Sequence, residues 1–566
     1  MTRKIDAAMQ TGGAAPAVES AGRPQRDLVI AALQLGAATI PGWSRQEAAL
    51  ASRMAAGTRG AADHRGISRL REQIHAGQDP LGRAFIALRA PSVRRGVGAT
   101  YTPEGIAHAM LSWARENGVP ERVVDPGVGS GRFLVQAATM FPNAQLVGVE
   151  VDPLAALLAR ANLAAIGAGT RARIVLADYR RTDLRAAQRT LFIGNPPYVR
   201  HHLIEARWKD WLVRRAREQG CVASRLAGLH VHFFLATLGN ARTHDYGAFV
   251  TAAEWLDVNY GQALRSWFLG NLGGEGIVLI EPTALPFPDA ATTAAITLFR
   301  IGSHASSIRM QRVGKLAELG GLASGRRVSR KRFESQARWS RLGCAARRPP
   351  PGFIELGELC RVHRGQATGA NAVWIAGERA QELPQSVLFP AVTRARELIE
   401  AGRVLRALGQ LRKVVDLPED LDELERAARS PVERFLRDAR RQGAHRSYLA
   451  RHRRVWWAVG LRSPAPILAT YMARRPPVFT RNPLGARHIN IAHGLYPRAS
   501  LTDSQLLALI EHLSNAVSAG DGRTYAGGLI KFEPREMERL PVPPPRLLVP
   551  PLGATPAQSD RSSPRR

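Results

Sequence analysis

The tetrapeptide Asn195-Pro196-Pro197-Tyr198 ends the apolar run Leu191-Phe192-Ile193-Gly194. A side-chain amide, two prolines and an aromatic ring directly after a buried-strand pattern can hold a planar substrate that carries an amino group. The amide oxygen and a proline-fixed carbonyl accept hydrogen bonds from NH2, and the ring stacks on the plane. Prolines lock φ and remove N–H donors, so these acceptors meet the substrate without competition from the loop itself. Upstream lies Asp125-Pro126-Gly127-Val128-Gly129-Ser130-Gly131, between a short apolar run and a helical pattern. Gly127, Gly129 and Gly131 let the backbone approach a ligand closely, and the helix that follows offers free N–H groups at its start. Glu150-Val151-Asp152-Pro153 comes next, about 20 residues on, where an acid can accept ribose hydroxyls. Glu150 ends its run directly and is the favoured ribose acceptor; Asp152, before Pro153, could cap the next helix instead. Asp178-Tyr179 closes a third run. That acid can accept from an adenine amino group while the Tyr179 ring packs on its plane, with helix capping as the competing role for Asp178. No Walker A lysine follows the glycines, which argues against ATP hydrolysis.

These groups need a scaffold that lines up strand ends. Apolar runs at Arg122–Asp125, Gln145–Glu150, Arg173–Leu176 and Leu191–Gly194 alternate with helical patterns at Arg132–Met140 and Pro153–Ile166. Such alternation predicts βαβ units and a parallel sheet covered on both faces, with ligands at the carboxyl ends of the strands. Further strands are expected at Gly247–Thr251, Ile277–Ile280 and Ala295–Phe299. Residues 1–26 read as a disordered lead-in and 27–95 as a helical segment. Residues 303–351 read as a basic linker ending in prolines, 352–545 as a second domain with a charged helical insert at Pro418–Arg440, and 546–566 as a disordered tail.

With 79 basic and 47 acidic residues, the formal charge is +32. An excess of this size predicts a polyanionic partner, most simply nucleic acid. Only six of the basic residues are lysines, so coding bias toward arginine is the competing explanation. Cys221, Cys344 and Cys360 are far apart; no disulfide framework or zinc site is expected, and a reducing cytoplasm fits. No charge-free apolar stretch approaches the roughly 18 residues of a membrane span. His201, His202, His230 and His232 match no metal spacing and read as structural or phosphate-facing. Arg437–Arg454, with Phe435, Tyr448, Trp456 and Trp457 around it, suits phosphate contact or, equally, a solvated helix face with an aromatic anchor.

The order of glycine loop, two acids and Asn-Pro-Pro-Tyr resembles the gamma-class DNA adenine-N6 methyltransferases of restriction-modification systems, which use S-adenosyl-L-methionine. Gly98-Ala99-Thr100-Tyr101-Thr102-Pro103 resembles the motif placed before the glycine loop in that class, in which Thr102 would contact the methionine carboxylate. Glu254-Trp255-Leu256 resembles its strand-five motif, and Pro286-Phe287-Pro288 the later motif whose aromatic, here Phe287, packs on the target base. Leu356–Leu359, Arg364–Asn371 and Arg523–Pro534 resemble the two ends of a TaqI-like target-recognition domain. Val128 departs mildly from the family, which commonly has a small residue or Cys there.

The resemblance implies a Rossmann-like, seven-stranded α/β methyltransferase domain over 96–302 and a mixed α+β DNA-recognition domain over 352–545. It implies double-stranded DNA as partner, and a separate restriction endonuclease or defence-system subunit for cleavage. Protein glutamine methyltransferases use the same Asn-Pro-Pro-Tyr logic and are one rival, although they lack a region like 352–545; an RNA base methyltransferase is a second. A degenerate fold that only binds DNA is a third alternative, against which the intact Asn195–Tyr198 speaks.

Overall fold

The alternating pattern closes into one sheet. In the computed structural model, which describes residues 17–56, 64–88, 102–281, 284, 293–343, 350–473, 475–518, 521–525 and 529–548, β1 (Arg122–Asp125), β2 (Gln145–Glu150), β3 (Ala172–Leu176) and β4 (Thr190–Gly194) pair in parallel. To them are added β5 (Tyr246–Ala252), β6 (Gly274–Ile280) and β7 (Ala294–Arg300). The order 3-2-1-4-5-7-6, with β7 antiparallel to both its neighbours, reverses direction beside β1. That is where open α/β sheets leave a crevice for ligands. β1 and β4 are buried along their whole length, as strands covered on both faces must be.

The sheet has nine strands among the described residues, two more than expected. Ser307–Val313 (β8) pairs parallel to β6, and Arg326–Ser329 (β9) pairs antiparallel to β8. Both lie in the segment read as a basic linker. The cause is visible in β8: Ile308 and Met310 are buried while Arg309 between them and Gln311 after them are partly exposed. This is a half-buried alternating strand whose arginines hide its periodicity. The lead-in also needs correction, because helix α1 (Ala17–Gln34) begins inside 1–26.

Helices α1, α2 (Arg45–Ala55), α3 (His64–His75) and α4 (Pro80–Ala87) come from the segment 27–95 and its approach. Next come α5 (Glu104–Asn117), α6 (Arg132–Met140) and α7 (Pro153–Ala165). The first four pack onto α7. One residue dominates that seam. Arg160 of α7 is fully buried, ion-paired with equally buried Glu47 at 2.7 Å, and donates to the carbonyls of Ile40, Pro41, Gly42 and Ile174. Helices α8 (Ala206–Glu218), α9 (Leu229–Asn240) and α10 (Gln262–Leu269) follow later in the chain.

The described residues divide into two compact units that part near residue 345. In the second, Cys360–Arg364, Ala492–Pro497, Ile467–Thr470 and Phe479–Arg481 form a four-stranded antiparallel sheet. Leu506, Leu509 and Leu513 of the helix Asp503–Ala516 share a core with its residues Val362, Ile467 and Leu495. A second sheet joins Lys413–Val415, Leu388–Val392 and Arg487–His488. The charged insert is a helix at Arg426–Arg441. Phe435 is buried there, and Trp456 and Trp457 pack against the same core as Trp374, so these aromatics anchor the helix. Among the described residues no helix is long and apolar enough to cross a membrane.

Candidate active site

The glycine loop turns because two residues take left-handed φ, Gly129 at +54° and Gly131 at +91°. A Cβ on Gly131 would come within 3.3 Å of Ala159 in α7, whereas one on Gly129 would meet nothing within 4 Å. Gly131 therefore serves helix packing and Gly129 faces open space. A Cβ on Gly127 would lie 3.7 Å from the Phe233 ring, 3.8 Å from Pro197 and 4.0 Å from the Asn195 carbonyl oxygen. The glycine loop and the Asn-Pro-Pro-Tyr loop thus bound one hollow.

Asp125 ends β1 beneath this hollow and is 1% exposed. Its Oδ1 accepts from the Gly127 N–H at 3.2 Å, and its Oδ2 has no hydrogen-bond partner among the described residues. Burial raises its pKa to about 8 against the opposing Gly127 bond, with nearby Glu150 adding to the rise. Between its ordinary 3.8 and about 8, the folded state holds a proton that the unfolded state releases. The Asp125 contribution to stability is therefore complete at acid pH and is lost as pH climbs through that window. Asp125→Asn removes the titration: the variant's stability relative to wild type rises steadily from pH 4 toward pH 8, as urea unfolding at a series of pH values will show.

Glu150 accepts from three backbone N–H groups, Gly129 on Oε2 (2.9 Å) and Val151 and Asp152 on Oε1 (2.8 and 3.0 Å). A carboxylate has about four lone-pair sites, so one on Oε2 is left for a ligand hydroxyl. Burial raises the Glu150 pKa, and these N–H groups oppose the rise. Asp152 is occupied as the cap of α7, accepting from Leu154 and Ala155.

Asp178 caps a short turn and is gripped by Arg180. Oδ1 accepts from the Arg180 N–H (3.0 Å) and Nε (2.9 Å), and Oδ2 from Nη2 (2.6 Å). The Arg180 guanidinium lies 3.6 Å from the Trp208 ring centroid. By the same count one lone pair of Oδ2 remains open. Tyr179 is buried with its hydroxyl against Thr237 at 3.0 Å and its ring 5.4 Å from that of Phe233. Phe233, not Tyr179, is the ring that reaches the Gly127 hollow. The sequence did not single it out because Leu229–Leu235 is apolar almost throughout.

Asn195 is oriented by Thr102, a nearly buried residue just ahead of α5: its Nδ2 donates to Thr102 Oγ1 at 2.9 Å. The amide oxygen therefore points away from Thr102. Pro196 is buried, while Pro197 and Tyr198 are half-buried. Tyr198 packs against the main core, and burial holds its phenol well above the ordinary pKa. Phe287 and Gly98–Tyr101 lie outside the described residues.

A second unforeseen contribution comes from the N-terminal helices. Asp79, at the cap of α4, accepts from Ser130 Oγ in the glycine loop at 2.6 Å and from Asn162 Nδ2 at 3.2 Å; the Asn162 amide also donates to the Ser130 carbonyl. Asp79 thereby ties the N-terminal segment to the glycine loop and α7. His230 and His232 are buried, and burial lowers their pKa values to about 4 and about 3. Both are neutral at pH 7, and His232 stacks on Trp211. Among the described residues no group of three His, Cys, Asp or Glu could hold a metal.

Four consecutive strand ends thus present a glycine turn, two acids and an oriented amide at one crevice, the layout of a methyl-transferring α/β domain. The family model N-6 DNA Methylase matches residues 79–235, and Eco57I restriction-modification methylase matches 190–281. The C-terminal domain of the type II methyltransferase M.Eco57I matches 348–550. Type II methyltransferase M.XamI of Xanthomonas campestris pv. amaranthicola is 52% identical over 466 residues, covering 82% of this chain and 87% of its own. M.AccI of Acinetobacter calcoaceticus is 20% identical, covering 79% and 85%. The solved type IIG restriction endonuclease BpuSI aligns at TM-score 0.46 and 14% identity, over 85% of this chain and 62% of that one. The chain belongs to the type II DNA methyltransferases of restriction-modification systems. It is a site-specific adenine-N6 DNA methyltransferase, and use of S-adenosyl-L-methionine follows from that family.

Proposed function

We propose that the crevice at the ends of β1 to β4 holds S-adenosyl-L-methionine beside an adenine flipped out of duplex DNA, and that Asn195 and the Pro196 carbonyl direct N6 at the methyl group. The observation that carries this reading is Asn195, whose side-chain amide is turned by its bond to Thr102 and whose backbone carbonyl lies 4.0 Å from where a Cβ on Gly127 would stand. The donor set fits the cosubstrate: Gly127 and Gly129 leave room for it, Glu150 keeps one acceptor site for a ribose hydroxyl, Asp178 keeps one for the adenine amino group, and Phe233 offers a face to the ring. When bound, S-adenosyl-L-methionine supplies an electrophilic methyl group on a sulfonium sulfur.

The protein's own part is positioning. The N6 lone pair of adenine is delocalised into its ring. Two hydrogen-bond acceptors on the amino hydrogens draw the nitrogen toward sp3 and point the lone pair out of the plane. No covalent enzyme intermediate is needed, so the rate gain comes from orientation and fixed dipoles. A base inside the duplex is out of reach, and flipping it costs a few kcal/mol. Stacking on Tyr198, and on Phe287, at roughly 1–3 kcal/mol for each base–aromatic stack, offsets that cost. Cleavage in the same system falls to a separate endonuclease, and the protein works in the cytoplasm where its DNA lies.

Calorimetric titration with S-adenosyl-L-methionine tests the cosubstrate half. Deleting a hydrogen bond to a charged group costs about 1.5–3 kcal/mol, so Asp178→Ala and Glu150→Ala should each weaken binding roughly tenfold to a hundredfold. Arg180→Ala should also weaken it by freeing the Asp178 carboxylate to rotate. Arg180→Lys should not restore affinity, since lysine lacks the planar fork. Unchanged affinity in Asp178→Ala would remove that residue from the site.

A further inference from the structure

A cleft of about 670 Å3 in the second unit is lined by Arg361, His363, Arg462, Tyr496 and Arg498, with Ser463 at its wall. From its place in the fold and its charge, and resting on the DNA-methyltransferase reading, we infer that this cleft grips the sugar–phosphate backbone of duplex DNA and reads no bases.

Three stretches far apart in sequence build it. Arg361 pairs with Tyr496 in the antiparallel ladder, and His363, two residues on, projects from the same face of the strand. The stretch 461–463 forms the wall, fixed by a hydrogen bond from the Tyr496 hydroxyl to the Ser463 carbonyl at 2.8 Å. Arg498 is held by its Nε bond to the Gly357 carbonyl at 2.7 Å. Arg361 and Arg462 are exposed, and among the described residues neither guanidinium makes a hydrogen bond or ion pair. Among the described residues that line the cleft there is no carboxylate. Burial, then Arg462 and more weakly Arg361, lower the His363 pKa against the opposing pull of Glu538. The imidazole is therefore neutral near pH 7, and the guanidiniums carry the positive charge.

Concavity decides what part of DNA fits. Base edges lie at the floor of grooves and are read by an element that protrudes into them. A recess lined by arginines receives a ridge instead, and the ridge of duplex DNA is its phosphate backbone. Contacts of that kind set register and orientation and carry no sequence information.

The test measures binding of the full-length protein across a salt series to two duplexes, one carrying the methylated site and one with that site scrambled. Removing one phosphate-neutralising arginine should reduce the slope of log K against log salt by about 0.9, hence by roughly 1.8 for Arg361→Ala/Arg462→Ala. Affinity should fall by the same factor on both duplexes. Arg361→Gln/Arg462→Gln should repeat the result with polar side chains, and Arg361→Lys/Arg462→Lys should keep most of the slope. An unchanged slope overturns the proposal and leaves the cleft to another occupant, such as an acidic segment of a protein. A loss confined to the site-bearing duplex overturns it in favour of base reading. Methylation by the wild type is assayed alongside: its absence would sink the functional reading, whereas methylation with an unchanged slope in the variants sinks the cleft alone.

Discussion

Asn195→Ala lowers kcat for methyl transfer by about 100- to 1,000-fold, the scale of loss when one pre-organised group is removed from a reacting centre. The position of the amide is the reason. Its nitrogen is engaged by Thr102, so its oxygen is the group turned toward substrate. Removing it leaves the N6 lone pair in conjugation with the adenine ring and without direction. The loss should fall on kcat more than on the KM for DNA, because the hydrogen bond matters most as the nitrogen pyramidalises. Asn195→Asp keeps an acceptor oxygen but loses the donor to Thr102, so it should retain more activity than the alanine variant. Thr102→Val leaves the amide intact and unanchored. It should lower kcat less than Asn195→Ala, and single-turnover kinetics with labelled donor resolve the three.

Arg160→Ala should destabilise the catalytic unit by about 3–5 kcal/mol, the range for breaking a buried pair and leaving one charge behind. Glu47 is then buried without its cation, and the carbonyls of Ile40, Pro41, Gly42 and Ile174 lose their donor. Glu47→Ala should cost less, because Arg160 keeps those four carbonyls as partners. The consequence reaches function through Asp79, which sits on the same N-terminal segment and accepts from Ser130 in the glycine loop. Loosening the segment should therefore weaken cosubstrate binding before the sheet itself melts. Urea unfolding followed by tryptophan fluorescence, with and without S-adenosyl-L-methionine, separates the two effects.

The sheet was legible because its strands are short apolar runs that end in chemistry. β1 and β2 fall where the sequence places them, and β3 to β7 differ only by residues at their ends. β1, β2 and β4 end in Asp125, Glu150 and Gly194, β5 follows Asp245, and β6 lies between Gly273 and Glu281, residues that punctuate an apolar run. β8 and β9 were not legible, since Arg309, Arg312, Arg326 and Arg327 lower the apparent hydrophobicity of strands with one buried face. The candidate site was legible where local sequence makes it, in the glycine loop, Glu150, Asp178 and Asn195. It was not legible where tertiary contact makes it. Phe233 is one apolar residue among many in α9, and Asp79 and Arg180 show their roles only when Ser130, Asp178 and Trp208 are brought beside them. Tyr179 looked like a ligand-facing ring from its position after Asp178. Its place in the core beside Val149, Phe233 and Ala236 follows from packing that a one-dimensional pattern does not encode.

The most direct test is nucleoside analysis of DNA treated with methyl-labelled S-adenosyl-L-methionine and either the wild-type protein or Asn195→Ala. The expected result is label in N6-methyladenine from the wild type, confined to one sequence context, and its near disappearance with the variant. Label in a different base or in protein, or undiminished N6-methyladenine from Asn195→Ala, would contradict the proposed role of the amide.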